Sequence, residues 1–279
     1  MKTVFITGTT TGIGLYTARH MHQLGWEVFA GVYPGEDTSA LTADISDRLH
    51  LIPVDITQAD MVRKAQEQIA QHTNSLDGLV NNAGIALTGP MEFLPIDDIR
   101  RQIEVNYIGQ VAVTQALLPM IRQAKGRIIN VASILGRVVT PFSGAYCASK
   151  FAMEAFTDVL RMELRQWHID VVAIEPTIIQ TAIWQKVSEW QAMVLEELPA
   201  HAQALYGEQL AIMAQSTVDQ QAISVSPQVI ADAIDHALCS SKPKTRYTVG
   251  QDALILSLAW RFVPDRLRDQ IILRRLNLW

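Results

Sequence analysis

The chain is predicted to fold as one α/β domain, a doubly wound parallel sheet of about seven strands with helices on both faces. Three observations predict it. Short, almost continuously apolar runs alternate with longer segments of helical apolar period, the pattern of parallel strands covered on both sides. The first run, Lys2–Thr7, passes directly into the turn Gly8-Thr9-Thr10-Thr11-Gly12-Ile13-Gly14, which opens a helical segment. The 279 residues, 49% of them hydrophobic, contain no repeat, low-complexity tract or linker and suit a single large domain spanning 1–279.

In chain order, the strand candidates are Thr3–Thr7, Glu27–Val32, Leu49–Val54, Gly78–Asn81, Arg127–Ala132, Asp170–Glu175 and Arg246–Val249. Each is short, apolar and bounded by turn residues. Helix candidates lie between them, near Ile13–Leu24, Gln58–His72, Asp97–Gln123, Ala145–Trp167 and Pro227–Cys239. Thr57 reads as the N-cap of the second, with Val62, Ala65 and Ile69 as its apolar stripe. Ser226 and Pro227 read as N-cap and first residue of the last. A stretch at about 177–225 reads as a helical lid, and about 250–279 as a C-terminal extension. The glycine turn, Asp55, Asn81–Gly84, Ser133 and Pro176 all follow strands, so they gather at one edge of the sheet, where such folds bind ligands.

Composition narrows the function. A net charge of -5 carries no basic excess for nucleic acid. Two cysteines, Cys147 and Cys239, build no disulfide framework and suit a reducing, cytoplasmic setting. Cys147 reads as a small helix residue. No signal peptide precedes the first strand, and no apolar run approaches the roughly 18–20 residues that span a bilayer. The seven histidines show no metal-binding spacing, so no metal is expected; His20 and His22 read as solvated.

The chemistry concentrates in AYCASKFAMEAF. Tyr146 and Lys150 stand four residues apart, one helical turn on one face. A neighbouring ammonium favours phenolate and is expected to pull the tyrosine pKa down from about 10, suiting it to acid–base work on an alcohol oxygen. Ser133, at the end of a strand, is placed to hold the same oxygen. Alone, this pair could be an ordinary surface pair. The strand–glycine turn–helix at the N-terminus adds a pyrophosphate cradle, although its G-x-x-x-G-x-G spacing differs from G-x-G-x-x-G.

These motifs, with Asp55, Asn81-Asn82-Ala83-Gly84, Asn106, Pro176 and Thr181, closely resemble the short-chain dehydrogenases/reductases, a Rossmann-type family, over most of the chain. GWEVFAGV, AKGRIINVAS, TRYTVG and the long extension resemble the branch of retinol, 17β-hydroxysteroid and 3-hydroxybutyrate dehydrogenases. The resemblance implies hydride transfer between a primary or secondary alcohol and its carbonyl. Tyr146 would be general acid/base, with Lys150 lowering its pKa and holding the nicotinamide ribose. Ser133 would position the substrate oxygen, and the Asn106 backbone would hold a relay water. Gly8, Thr10, Gly12, Ile13, Gly14, Asp55, Ile56, Asn82, Ala83, Gly84, Pro176 and Thr181 would contact the dinucleotide. Where the family has Pro-Gly this chain has Pro176-Thr177, which puts the turn geometry in question.

Cofactor choice is read beyond the second strand. Val32 and Tyr33 offer neither acid nor arginine, no Lys or Arg occurs between Leu24 and Asp47, and Glu36 and Asp37 follow. NAD is expected over NADP. The lid bears Trp184, Trp190, Met193, Leu195, Tyr206, Leu210, Ile212 and Met213 with Lys186 as its one Lys or Arg. An apolar alcohol (steroid, retinoid or long-chain alcohol) is therefore expected. A small 3-hydroxy acid, clamped by Lys186, His201 or a distant arginine, is the alternative, as is a non-catalytic dinucleotide-binding sensor or scaffold. A homodimer or homotetramer would assemble through Val105–Leu117 and Phe151–Leu164, with Phe151, Ala155, Val159 and Met162 serving an interior and Phe156, Leu160 and Leu164 leaving surface for a partner. In the extension, Leu254–Leu258, Trp260, Phe262, Val263, Ile271 and Trp279 beside five arginines are expected either to touch a membrane surface peripherally or to pack on the lid or a neighbouring subunit.

Overall fold

Seven strands carry the fold: β1 (Thr3–Thr7), β2 (Glu27–Val32), β3 (Leu49–Pro53), β4 (Gly78–Asn81), β5 (Arg127–Val131), β6 (Asp170–Pro176) and β7 (Arg246–Val249). They form one wholly parallel sheet in the order β3-β2-β1-β4-β5-β6-β7. The structure is a computed structural model that describes residues 1–42, 46–181, 183–222, 224–250 and 262–278. Strand order reverses between β1 and β4, which opens a crevice beyond their C-terminal ends.

The helices are α1 (Gly12–Gln23), α2 (Ser39–Thr42), α3 (Ala59–Ala70), α4 (Ile96–Ile103), α5 (Gly109–Ala124), α6 (Gly144–Glu163), α7 (Ile183–Glu197), α8 (Ala200–Ala222), α9 (Gln228–Cys239) and α10 (Asp265–Arg275). Period-two alternation along the strands sorts their side chains onto two cores. Val4, Ile6, Val28 and Ala30 pack with Leu15, Met21, Ile230 and Ile234 of α1 and α9. Phe5, Phe29, Leu79 and Ile128 pack with Val62, Ile69, Leu117, Ile121 and Leu160 of α3, α5 and α6. Buried on both faces, the strands need no polar side, which is why they read as apolar runs.

Several local expectations are corrected. Thr57 does not cap α3: Gln58 does, because the Asp55 carboxylate accepts from both Thr57 N (3.0 Å) and Thr57 Oγ1 (2.7 Å). Helix α9 begins one residue later than expected, yet Ser226 Oγ still accepts from Gln228 N at 3.2 Å. The predicted helix over Asp97–Gln123 is interrupted by a π-helical turn, Glu104–Ile108. His20 lies within 3.9 Å of Asp232 and 3.7 Å of Asp235, and His22 bonds Ser46 Oγ at 2.6 Å, so neither is simply solvated.

On α6 the expected faces are exchanged. Phe151, Val159 and Met162 are exposed, whereas Leu160 and Leu164 are buried. Hydrophobicity alone could not choose between the stripes. The buried side is fixed by polar residues that find partners there: Thr157 Oγ1 accepts from Asn130 Nδ2 at 2.8 Å and donates to the Met153 carbonyl at 2.7 Å. The expected apolar run Leu254–Leu258 and Trp260 lies outside the described residues, as does Trp279. Within α10 and its approach, Phe262, Leu267 and Ile271 are exposed. No described helix is long and apolar enough to cross a membrane.

Candidate active site

The glycine turn is built by close backbone approach. Gly8 (φ 69°) and Gly12 (φ 57°) take left-handed conformations that side chains rarely adopt. A Cβ on Gly14 would stand 2.1 Å from the Gly8 carbonyl oxygen and 2.5 Å from Asn82 Nδ2. Asn82 Nδ2 donates to the carbonyls of Thr7 (2.8 Å) and Gly8 (2.9 Å), while Thr7 Oγ1 accepts from Asn82 N and Ala83 N, each at 2.9 Å. The N-cap of α1, Thr11, makes no side-chain capping bond. An uncapped helix start with an adjoining glycine cradle fits the pyrophosphate of a dinucleotide.

A polar stripe then fixes the segment after β4. Gln102, Asn106 and Gln110 recur every four residues along α4, the π turn and α5, and all three are buried. Gln110 Nε2 donates to the Ala83 carbonyl. Asn106 brackets Ile85, accepting from its N–H at 2.8 Å and donating to its carbonyl at 2.9 Å. Gln102 accepts from Leu87 N at 2.7 Å and donates to the Ile85 carbonyl. Asn106 is therefore no solvent-facing helix residue. It also donates to Ser149 Oγ at 3.0 Å, and Ser149 donates to the Tyr146 carbonyl at 2.7 Å, so the stripe reaches the helix bearing the tyrosine. The sequence reading singled out only Asn106. The spacing of the two glutamines was the available signal.

Ser133, Tyr146 and Lys150 come together as expected. Ser133 follows β5, where its Oγ accepts from Leu135 N at 3.1 Å. Tyr146 stands in the first turn of α6, with the Ser133 hydroxyl near enough to favour its phenolate. The Lys150 ammonium lies 5.7 Å from the centre of the Tyr146 ring and donates to the Val131 carbonyl at 2.9 Å. The expectation of a depressed tyrosine pKa is not met in this state. Burial pushes Tyr146 up to about 12, with Ser133 pulling the other way, and burial pulls Lys150 down to about 8, opposed by Glu154. Lys150 is buried and Tyr146 half-buried, and loss of water is the leading cause of both shifts. Cys147 is a buried thiol pushed up by burial, consistent with packing.

The remaining residues close the edge. Thr181 packs on the glycine turn: a Cβ on Gly12 would lie 3.2 Å from its Cβ. Thr177 fits without glycine because its φ is not positive, and its N–H bonds the Val249 carbonyl at 2.9 Å. Gly250 (φ 129°) yields instead, since a Cβ there would strike Thr177 Oγ1 at 1.7 Å. Asp55 sits at the end of β3, while Ile56 is buried against Gly109 in the core. Thr10 Oγ1 bonds the Glu36 carboxylate, and Lys186 of α7 reaches the same carboxylate at 3.3 Å. Phe142, four residues before Tyr146, is held at φ 63° while its carbonyl accepts from Gly89 N at 2.7 Å, a strained position of the kind found at functional sites.

A family model described as short chain dehydrogenase matches residues 2–192. The chain belongs to the short-chain dehydrogenase family. It is 37% identical to 17-beta-hydroxysteroid dehydrogenase type 6 of Bos taurus over 280 residues, covering 98% of this chain and 88% of the relative. It is 36% identical to human retinol dehydrogenase 5 over 279 residues, covering 96% and 87%. Among solved structures, a short-chain dehydrogenase from Streptomyces avermitilis superposes with a TM-score of 0.78 at 25% identity, covering 99% of this chain and 97% of the other. The chain is thus an NAD(P)-dependent oxidoreductase of the alcohol dehydrogenase/ketone reductase type.

Behind the dehydrogenase site lies a buried ion network. Glu154, one turn beyond Lys150, bonds Arg246 Nε at 3.0 Å, and the fully buried Glu175 bonds Arg137 Nε at 2.6 Å. Burial, then the neighbouring Glu175 charge, push Glu154 up from the ordinary carboxylate range. Because the Glu154 charge raises Lys150, Glu154→Gln is expected to lower the Lys150 pKa further. The limb of the kcat/KM–pH profile that reports Lys150 losing its proton then moves to lower pH. A limb unmoved in Glu154→Gln contradicts this coupling.

Proposed function

We propose that this enzyme interconverts an apolar alcohol and its carbonyl, with Tyr146 as the proton carrier. The single observation that supports it best is the meeting of Ser133, Tyr146 and Lys150 at the sheet edge that also carries the glycine cradle. When bound, the nicotinamide dinucleotide supplies the hydride acceptor or donor. Gly8, Thr10, Gly12, Ile13, Gly14, Asp55, Asn82, Ala83, Gly84, Pro176 and Thr181 would hold it, with Lys150 at its nicotinamide ribose. Ser133 Oγ orients the substrate oxygen; the Tyr146 phenolate takes the carbinol proton during oxidation, and the phenol returns it during reduction. The Lys150 ammonium stabilises the phenolate. Asn106, locked to Ile85 and Ser149, keeps the proton path registered with α6.

An apolar substrate is favoured by the lid. Trp184, Trp190, Tyr206, Leu210 and Met213 are half-buried. Trp190 Nε1 donates to the Thr88 carbonyl at 2.7 Å and Tyr206 to Glu92 at 2.8 Å, bringing their rings over the segment after β4. The cations proposed for an acid clamp are engaged elsewhere, Lys186 with Glu36 and His201 edge-on to Phe93. The relatives' names, which specify hydroxysteroid and retinol, favour the same class.

The reading extends to NAD over NADP. Glu36 is bonded to Thr10 of the glycine turn, where a 2′-phosphate would meet its charge. Lys186 offsets this little, because a pair with an exposed lysine contributes about 0–1 kcal/mol. Assembly through the exposed apolar strip of Ile96, Ile108, Phe151, Val159 and Met162 completes the proposal, a homodimer or homotetramer. Exposed Phe262, Leu267 and Ile271 beside Arg266, Arg274 and Arg275 suit peripheral contact with an anionic membrane surface.

Tyr146→Phe is expected to lower kcat by about 10²–10⁴-fold with the cofactor Kd little changed, since only the proton carrier is lost. Steady-state kinetics and fluorescence titration with NADH check it, and a variant keeping most of its activity refutes the mechanism. The same assay run with both cofactors is expected to give a higher kcat/KM for NAD, and Glu36→Gln is expected to narrow the gap. A clear preference for NADP refutes the reading of Glu36.

A further inference from the structure

The opposite edge of the sheet carries a second convergence of ligand atoms. Glu27 opens β2, and His50 in β3 is the register partner of Phe29. By strand alternation Glu27 and Phe29 share a face, the face covered by α3. His72 follows the end of α3, its N–H on the Ile69 carbonyl at 3.0 Å. The His50 ring stacks on Phe29 at 5.1 Å and lies 4.1 Å from the His72 ring. His50 Nε2 meets Glu27 Oε1 at 3.0 Å. One ligand atom from each of Glu27, His50 and His72 falls within 4.8 Å of the other two.

We propose that Glu27, His50 and His72 bind a divalent transition-metal ion of the zinc class, away from the catalytic edge. Zinc bonds imidazole nitrogen and carboxylate oxygen at about 2.0–2.2 Å, so tetrahedral ligand atoms stand roughly 3.3 Å apart. Glu27 and His50 already have that spacing. His72 is exposed and beyond the helix, its ring touching only the side of the site, His50 at 4.1 Å and Phe29 at 5.7 Å, so a shift of roughly 1.5 Å toward the other two ligands completes the set. Phe29 orients His50 from below. The carbonyl end of α3 adds favourable negative potential for a cation. Two nitrogen donors select zinc-class ions over Mg²⁺ and Ca²⁺, which take oxygen ligands. The fourth position is left to water. Binding displaces the proton on the ligating His50 nitrogen and ties β2, β3 and the end of α3 together, so the ion acts on stability rather than on the reaction.

The test uses the untagged full chain with Cys239→Ser, because the exposed Cys239 thiol would itself attract zinc. Titration with Zn²⁺ by calorimetry is expected to show one equivalent bound, and Co²⁺ to develop tetrahedral absorption bands. Tm is expected to rise with Zn²⁺, to fall back with a chelator and to ignore Mg²⁺, with kcat unchanged. His72→Ala, at an exposed position, should fold normally and weaken Zn²⁺ by more than the about 10–100-fold typical of losing an outer-shell partner. Glu27→Gln should weaken it as well. Absence of a one-equivalent site, or equal affinity in His72→Ala and Glu27→Gln, overturns the proposal.

Discussion

Withdrawal from water of a tyrosine and a lysine one helical turn apart is the constraint on which the rest of this molecule turns. Ordinarily each would favour the other's charge. Here Lys150 is buried and Tyr146 half-buried, and loss of water dominates, pushing Tyr146 up to about 12 and Lys150 down to about 8. Lys150 spends its hydrogen bond on the Val131 carbonyl, and Ser133 is the group that already favours the phenolate. The protein therefore holds the phenol neutral beside a still largely protonated lysine until further positive charge arrives. A bound oxidised nicotinamide would be such a charge, which makes cofactor binding and acid–base readiness one event.

Holding these two ionisable groups in register requires a stiff frame, and the frame is polar. The Asn81 side chain donates to Asn130 Oδ1 and Thr114 Oγ1, each at 2.9 Å, joining β4, β5 and α5. Asn130 passes the contact on to Thr157 of α6. Gln102, Asn106 and Gln110 fix the backbone of residues 83–87, and Asn106 reaches α6 through Ser149. Buried networks of this kind cost dearly when half-satisfied, so they specify one arrangement of helices.

Much of this was legible before any coordinates. Strand positions followed from apolar runs bounded by turns, and four of the seven match the expected limits residue for residue: β1, β2, β4 and β7. The meeting of Ser133, Tyr146 and Lys150 and the glycine turn were legible because each is a spaced motif. What escaped depends on tertiary partners. The α6 faces exchanged because both stripes are apolar, and only Thr157 meeting Asn130 decides between them. The tyrosine shift was read with the wrong sign because spacing shows the neighbouring charge but not the depth of burial. Gln102 and Gln110 share the four-residue spacing of Asn106, but only their bonds to the backbone of residues 83–87 show what that spacing serves. Glu27, His50 and His72 come from separate elements, and no local pattern announces their meeting.

Burial holds the Tyr146 phenol neutral in the free protein, and a bound oxidised cofactor would release it. Selective ¹³C labelling of tyrosine Cζ, assigned through the Tyr146→Phe spectrum, allows this one phenol to be titrated by NMR with and without NAD⁺. The account predicts a pKa above the ordinary tyrosine value of 10.0 in the free protein and a clear fall on adding NAD⁺. A phenol already ionising below that value in the free protein, or one unmoved by NAD⁺, would contradict it.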